Sequence, residues 1–151
     1  MRDFGELERA LDGCDAAGPA TDDLIAAAEN ELGVTFPPSY RRFLAIYGAV
    51  ACRGFLIAGL FQDEPNDQPP LWLNVLRYTG QLRRSSRGLI PRAYVALSDD
   101  GGDYKFYLDT SRVNDAGECP VVVLGPGADD LRVADDFVDF VVKSAEESIS
   151  F

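Results

Sequence analysis

Between Thr21 and Gly48 the chain spells out two consecutive helices with the ends of each marked, and no other stretch constrains the fold as tightly. Thr21 offers a side-chain oxygen to the free amides of a first turn, and Asp22 and Asp23 put negative charge at the positive end of the helix dipole. Leu24, Ala28 and Leu32 recur every fourth residue on one face, and Gly33 supplies a left-handed stop. Pro37 and Pro38 then pre-set φ for a new first turn, where a missing amide is harmless, so a second helix is expected beside Ser39. Tyr40, Phe43, Leu44 and Tyr47 share one side of it, each worth roughly 1.5–3 kcal/mol when fully buried, before Gly48 ends it. That face is expected to pack on a core.

The flanking segments supply the rest of a domain. Phe4, Leu7 and Leu11 mark a short first helix, set off by Gly13 and the Gly18-Pro19 step and expected to pack as a flap. After Gly48, the apolar run Ala49 to Leu60, broken by Gly54 and Gly59, reads as two short strands or one bulged strand. The stretch Gln62 to Pro70 is polar apart from its prolines and reads as an exposed acidic loop. Trp72, Val75, Leu76, Thr79 and Leu82 follow helical spacing and end in Arg83, Arg84 and Arg87, where cations favour the dipole. Ala93 to Ser98 and Tyr104 to Asp109 flank Asp99-Asp100-Gly101-Gly102-Asp103, a β-hairpin whose second strand alternates and so is expected to bury one face. Cys119 to Leu124 reads as a central strand stopped by Gly125-Pro126-Gly127, and Phe137, Phe140, Val141, Ser144 and Ala145 form a closing helix behind Asp135 and Asp136. Helices, antiparallel strands and a covering helix make an α+β fold, one domain over residues 1–151, with a central mainly antiparallel sheet.

Composition narrows the function classes. Apolar residues make up 46% and charged residues 26%, ordinary for a globular protein, and no apolar run approaches the ~20 residues that span a bilayer. The acidic N-terminus lacks the apolar block of a secretory signal, so the cytoplasm is the expected compartment. Cys14, Cys52 and Cys119 are odd in number and widely spaced, which argues for buried thiols over a disulfide framework or a zinc site. A formal net charge of −11 opposes nucleic acid and anionic membrane and favours a basic partner. The charge is also uneven. Acids crowd residues 99–139, whereas Arg77, Arg83, Arg84, Arg87 and Arg92 have no acid among them, so the protein is expected to be dipolar.

Catalytic devices are excluded largely by inventory. The chain has no histidine, which removes Ser-His-Asp and Cys-His nucleophiles, His-ligated zinc and imidazole acid–base chemistry. No phosphate-cradling glycine motif or nucleophile elbow occurs. Carboxylates remain, but Asp99, Asp100 and Asp103 fit neither the alternate spacing of a calcium loop nor a catalytic pair, and a hairpin turn accounts for them without a ligand. We therefore expect no metal, no cofactor and no enzyme activity.

Written out, Glu29 to Gly48 is E-N-E-L-G-V-T-F-P-P-S-Y-R-R-F-L-A-I-Y-G, and it resembles the opening of the SUKH superfamily, which holds bacterial immunity proteins and fungal Smi/Knr cell-wall regulators. The shared elements are Leu32, Gly33, Pro37, Pro38, Tyr40, Phe43, Leu44 and Gly48; the likeness is weaker over Tyr94 to Asp109 and weaker again near Phe137. Where members often carry Asn-Gly-Gly after the second helix, Tyr47, Gly48 and Ala49 stand here, so that turn is expected to be shaped differently. The resemblance implies a non-catalytic immunity protein that neutralises a cognate toxin, with a regulatory or scaffold protein of the Smi/Knr type as the alternative. The expected contact surface joins Asp63, Glu64 and Asp67 of the acidic loop to Asp99, Asp100 and Asp103 of the hairpin turn, with Trp72 at the rim.

Overall fold

The computed structural model describes residues 2–62 and 73–151. Its elements run α1 (Phe4–Ala10), β1 (Asp15–Ala16), α2 (Asp22–Leu32), α3 (Pro38–Tyr47), β2 (Val50–Cys52), β3 (Phe55–Ile57), α4 (Val75–Ser85), β4 (Tyr94–Asp99), β5 (Lys105–Asp109), β6 (Val121–Gly125), β7 (Ala128–Ala134) and α5 (Phe137–Ala145). The strands form two antiparallel sheets, β1-β2-β3 and β4-β5-β6-β7. This is the α+β architecture expected.

The paired helices form for the reasons their sequence gives. Thr21 Oγ1 accepts from Leu24 N at 3.2 Å, and Gly33 ends α2 at φ 73°. α3 has no capping side chain of its own. Glu118, far along the chain, takes that role, accepting from Ser39 N at 3.0 Å and Ser39 Oγ at 2.5 Å, so a negative charge meets the helix N-terminus. Gly48 ends α3 at φ 74°, ψ −71°, and Ala49 N donates to Tyr47 O at 2.9 Å: a γ-turn, which fits glycine and answers the departure from Asn-Gly-Gly. The same residue cannot carry a side chain for a second reason, since a Cβ there would lie 2.1 Å from Gly18 O.

α3 and α5 meet through a nest of rings. Tyr40 lies edge-on to Phe36 and Phe137, with centroids 5.1 and 4.9 Å apart, and Phe43 lies edge-on to Phe137 at 5.2 Å. The Tyr40 hydroxyl, fully buried, donates to Ala58 O at 2.7 Å and so ties α3 to the end of β3. The two sheets are stitched nearby, where Ala58 N donates to Leu97 O at 2.7 Å. On the outer edge of β4, Thr79 Oγ1 accepts from Ala96 N at 3.0 Å, which leaves that edge without an open amide at Ala96.

Four expectations need correction. The hairpin buries both faces: Phe106 and Leu108 join the main core with α5, while Tyr107 packs with Tyr94, Ala96 and Val122 in a second cluster against Tyr78 and Leu82 of α4. The alternation of Lys105 and Tyr107 disguised this because tyrosine serves either an exposed or a covered face. The chain after Gly125-Pro126-Gly127 is also a strand. β7 is hard to read because two bulges, one with Asp130 at φ 56°, break its period-2 pattern. α1 is part of the main core, with Leu7 and Leu11 buried and the helix packed on α5, so it is no flap.

The last correction concerns the cysteines. Cys14 and Cys52 form a disulfide across a loop of 38 residues, and only Cys119 is a free, buried thiol. Pairing of Asp15 with Ala51 and of Ala16 with Val50 puts Cys14 and Cys52 at the next position of that ladder. A two-residue strand in a glycine-flanked connector carries no sequence signal, so the partnership was illegible. It also bears on compartment, because structural disulfides persist in oxidising surroundings and are uncommon in the cytoplasm of mesophiles.

Candidate functional site

The turn between β4 and β5 is built by its own carboxylates. Gly101 has φ 84°, and its amide donates to Asp99 Oδ1 at 2.8 Å; Gly102 N and Tyr104 N donate to Asp100 Oδ1 at 2.8 and 3.3 Å. Such Asx turns hold the two acids in fixed orientations. Asp99 Oδ2 also accepts from the Tyr78 hydroxyl at 3.0 Å and lies 3.8 Å from Lys105 Nζ, which donates to Gly102 O at 2.8 Å. Burial, then the charge of Asp99, pushes the Tyr78 phenol well above its ordinary range, so it stays a donor at physiological pH. Tyr104 reaches Pro126 O at 2.7 Å and joins the turn to the β6–β7 loop. Asp100 and Asp103 are exposed at the tip.

Beside this tip, Asp99 and Asp100 share a cleft of about 320 Å³ with Cys52, Phe55 and Leu56 of the β2–β3 hairpin and with Leu73. Leu56 is 36% exposed and gives the cleft an apolar lip. Gly59 N donates to Leu73 O at 2.9 Å, which anchors Leu73 at the cleft. Asp99, Asp100 and Asp103 are thus brought together at one end of the hairpin. Asp63, Glu64, Asp67 and Trp72 lie outside the described residues.

The chemistry available here is that of oriented anions. Among the described residues no group of three or more His, Cys, Asp or Glu side chains is arranged to hold a metal ion. Burial pushes the Cys119 thiol up to about 11, which leaves it a poor nucleophile at neutral pH. Ser98 Oγ donates to Leu56 O at 2.5 Å and serves the junction between hairpins.

A second group of acids, noted in the sequence only as a helix start, has a different character. Asp136 caps α5, accepting from Asp139 N at 2.8 Å, and Asp139 accepts from Arg2 Nε at 2.8 Å and Asp135 N at 2.9 Å while Lys143 Nζ lies 3.1 Å away. Burial works against the Asp139 charge, but these hydrogen bonds outweigh it and hold the carboxyl below its ordinary value; burial raises Asp136 instead. Arg2 and Lys143 balance the Asp139 charge, so this residue locks the N-terminus to α5 and adds little to the outer field. Charge counting along the chain could not separate the balanced Asp139 from the exposed acids at the hairpin tip.

Among the described residues no helix is long and apolar enough to cross a membrane. A family model described as SMI1-KNR4 cell-wall, one of the SUKH families, matches residues 6–146. That span takes in α2, α3, α4, α5 and both sheets, leaving out residues 1–5 and the tail after α5, and the chain belongs to this SUKH family.

Proposed function

We propose that this protein is a non-catalytic immunity-type protein that binds and neutralises a cognate, basic protein toxin through the acidic end of the β4–β5 hairpin. The observation that carries the reading is the tip itself. Asp99 and Asp100 are oriented by backbone amides beside an apolar-lipped cleft, on a chain of net charge −11. Pre-oriented carboxylates lose little freedom when they meet a lysine or arginine, and the net field steers a basic partner toward association rates near ~10⁸ M⁻¹s⁻¹ at low salt. Asp63, Glu64, Asp67 and Trp72 belong to the same proposed surface. Nucleic acid and anionic membrane are not partners, for the same electrostatic reason.

The test is a titration of the protein encoded by the adjacent gene with the wild-type chain and with Asp100→Lys combined with Asp103→Lys. Both positions are exposed, and the substitutions should weaken binding at least about tenfold, since like charges facing across an interface cost several kcal/mol. Unchanged affinity removes the hairpin tip from the binding surface. A second reading, a regulator or scaffold for endogenous proteins, is favoured by the cell-wall description of the matched family. Stoichiometric co-purification with a partner from cells that lack any toxin supports it, and rescue of growth during toxin expression supports immunity.

A further inference from the structure

Within the arginine-rich stretch 77–92, the Arg83 side chain is held by backbone carbonyls and not by an acid. Arg2, Arg41, Lys105, Arg112, Arg132 and Lys143 each lie within 4.0 Å of a carboxylate. Among the described residues Arg83, Arg84, Arg87 and Arg92 have no such partner, and neither do Arg9, Arg42 and Arg53, so what sets Arg83 apart is its burial. Arg83 is the most constrained of them. Its Nη2 donates to Arg92 O at 2.5 Å and to Leu32 O at 3.2 Å, and its Nε is buried with no hydrogen-bond partner. Desolvation, and then the charge of Arg92, lowers its pKa. A half-buried cation beside a like charge, with no acid to balance it, is unfavourable unless an anion completes the site.

Arg92, whose carbonyl Arg83 holds, and Gly33, next to Leu32, line a cleft of about 630 Å³ between the α2–α3 loop and the start of β4. Arg92, Thr35 and Arg41 give it polar walls; Val34, Phe36 and Val113 give it apolar ones. Arg41 is already balanced by Glu29 Oε2 at 2.8 Å, so the unmatched charge belongs to Arg92 and Arg83. The volume falls within the range of small-molecule sites, and the mixture of guanidinium and apolar wall suits an organic anion. A polyanion is disfavoured, because the net charge of −11 repels it at long range.

We propose that this cleft binds a small oxyanion, the phosphate or carboxylate group of an organic molecule, with Arg92 contacting it and Arg83, bonded to the Arg92 carbonyl, supplying a second positive charge behind the wall. The site is separate from the acidic hairpin tip, and its test needs no toxin. The full chain, isotopically labelled, is titrated with inorganic phosphate and in parallel with succinate, at ionic strength held constant with sodium chloride. One of the two should give saturable amide shifts at Gly33 to Phe36 and at Ala93, half-complete at about 1 mM or below. Which one does so names the headgroup. Arg92→Gln should weaken that response about tenfold, as expected for loss of a charge-assisted bond, whereas Arg9→Gln on α1 should leave it unchanged. Thermal melts of both variants confirm that they are folded. Absence of saturation with both anions, or an equal response in Arg92→Gln, overturns the proposal.

Discussion

The four-stranded sheet has two covered faces that are built differently. Under α5 lie Val95, Leu97, Phe106, Leu108, Val121 and Val123, joined to the rings of Tyr40, Phe43, Phe137 and Phe140. Under α4 lie Tyr94, Ala96, Tyr107 and Val122, and here hydroxyls reach outward: Tyr78 to Asp99 and Tyr94 to Asp130. The first face is largely apolar, and its buried polar ties include the Tyr40 hydroxyl and the Asp136 cap of α5. The second connects buried strands to carboxylates at the surface. The difference teaches that stability and the orientation of surface acids are assigned to opposite sides of one sheet, so variation in the acids need not disturb the main core.

The sharpest way to break this division is Phe137→Ala. Its ring is fully buried against Tyr40 and Phe43, so truncation should cost about 3–5 kcal/mol, seen as a large fall in the denaturant midpoint. A loss as small as those expected on the α4 side would show that the main core does not lie under α5. Tyr40→Phe comes next. It leaves Ala58 O without its buried donor, and a loss of about 1–3 kcal/mol is expected from equilibrium unfolding. A neutral result would mean that another donor reaches that carbonyl. The smallest effect belongs to Tyr78→Phe, about 0.5–1.5 kcal/mol, because Asp99 keeps the Gly101 amide and is partly exposed. Its more telling readout is local: amide exchange at Gly101 and Gly102 should accelerate while exchange in β6 does not. Uniform acceleration would mean that the α4 side carries global stability after all.

Legibility followed the range of the interactions. α2 and α3 were readable to within a residue or two, since capping, a left-handed glycine and ring spacing act within a turn or two. The hairpin was readable because its turn chemistry is contiguous, which is also why Asp99 and Asp100 could be assigned to its turn. β1 and β7 were not. One is two residues long, and the other is bulged so that its side chains do not alternate. The balancing of Asp139 escaped because Arg2 lies 137 residues away in sequence. The cleft at Arg92 escaped because its walls come from segments that only packing brings together.

By itself the sequence determined the local code: where helices start and stop, which rings face inward, an α+β order of elements, a histidine-free and strongly acidic chain, and a family likeness over residues 29–48. Tertiary structure alone decided what joins distant positions: the Cys14–Cys52 bond, the Glu118 cap on α3, the second covered face of the sheet, and which acids are neutralised and which arginines are not. The physical reason is that helix caps and turns are satisfied within a few bonds along the chain. A charge or a thiol finds its partner through space, at a separation that no spacing in the sequence records.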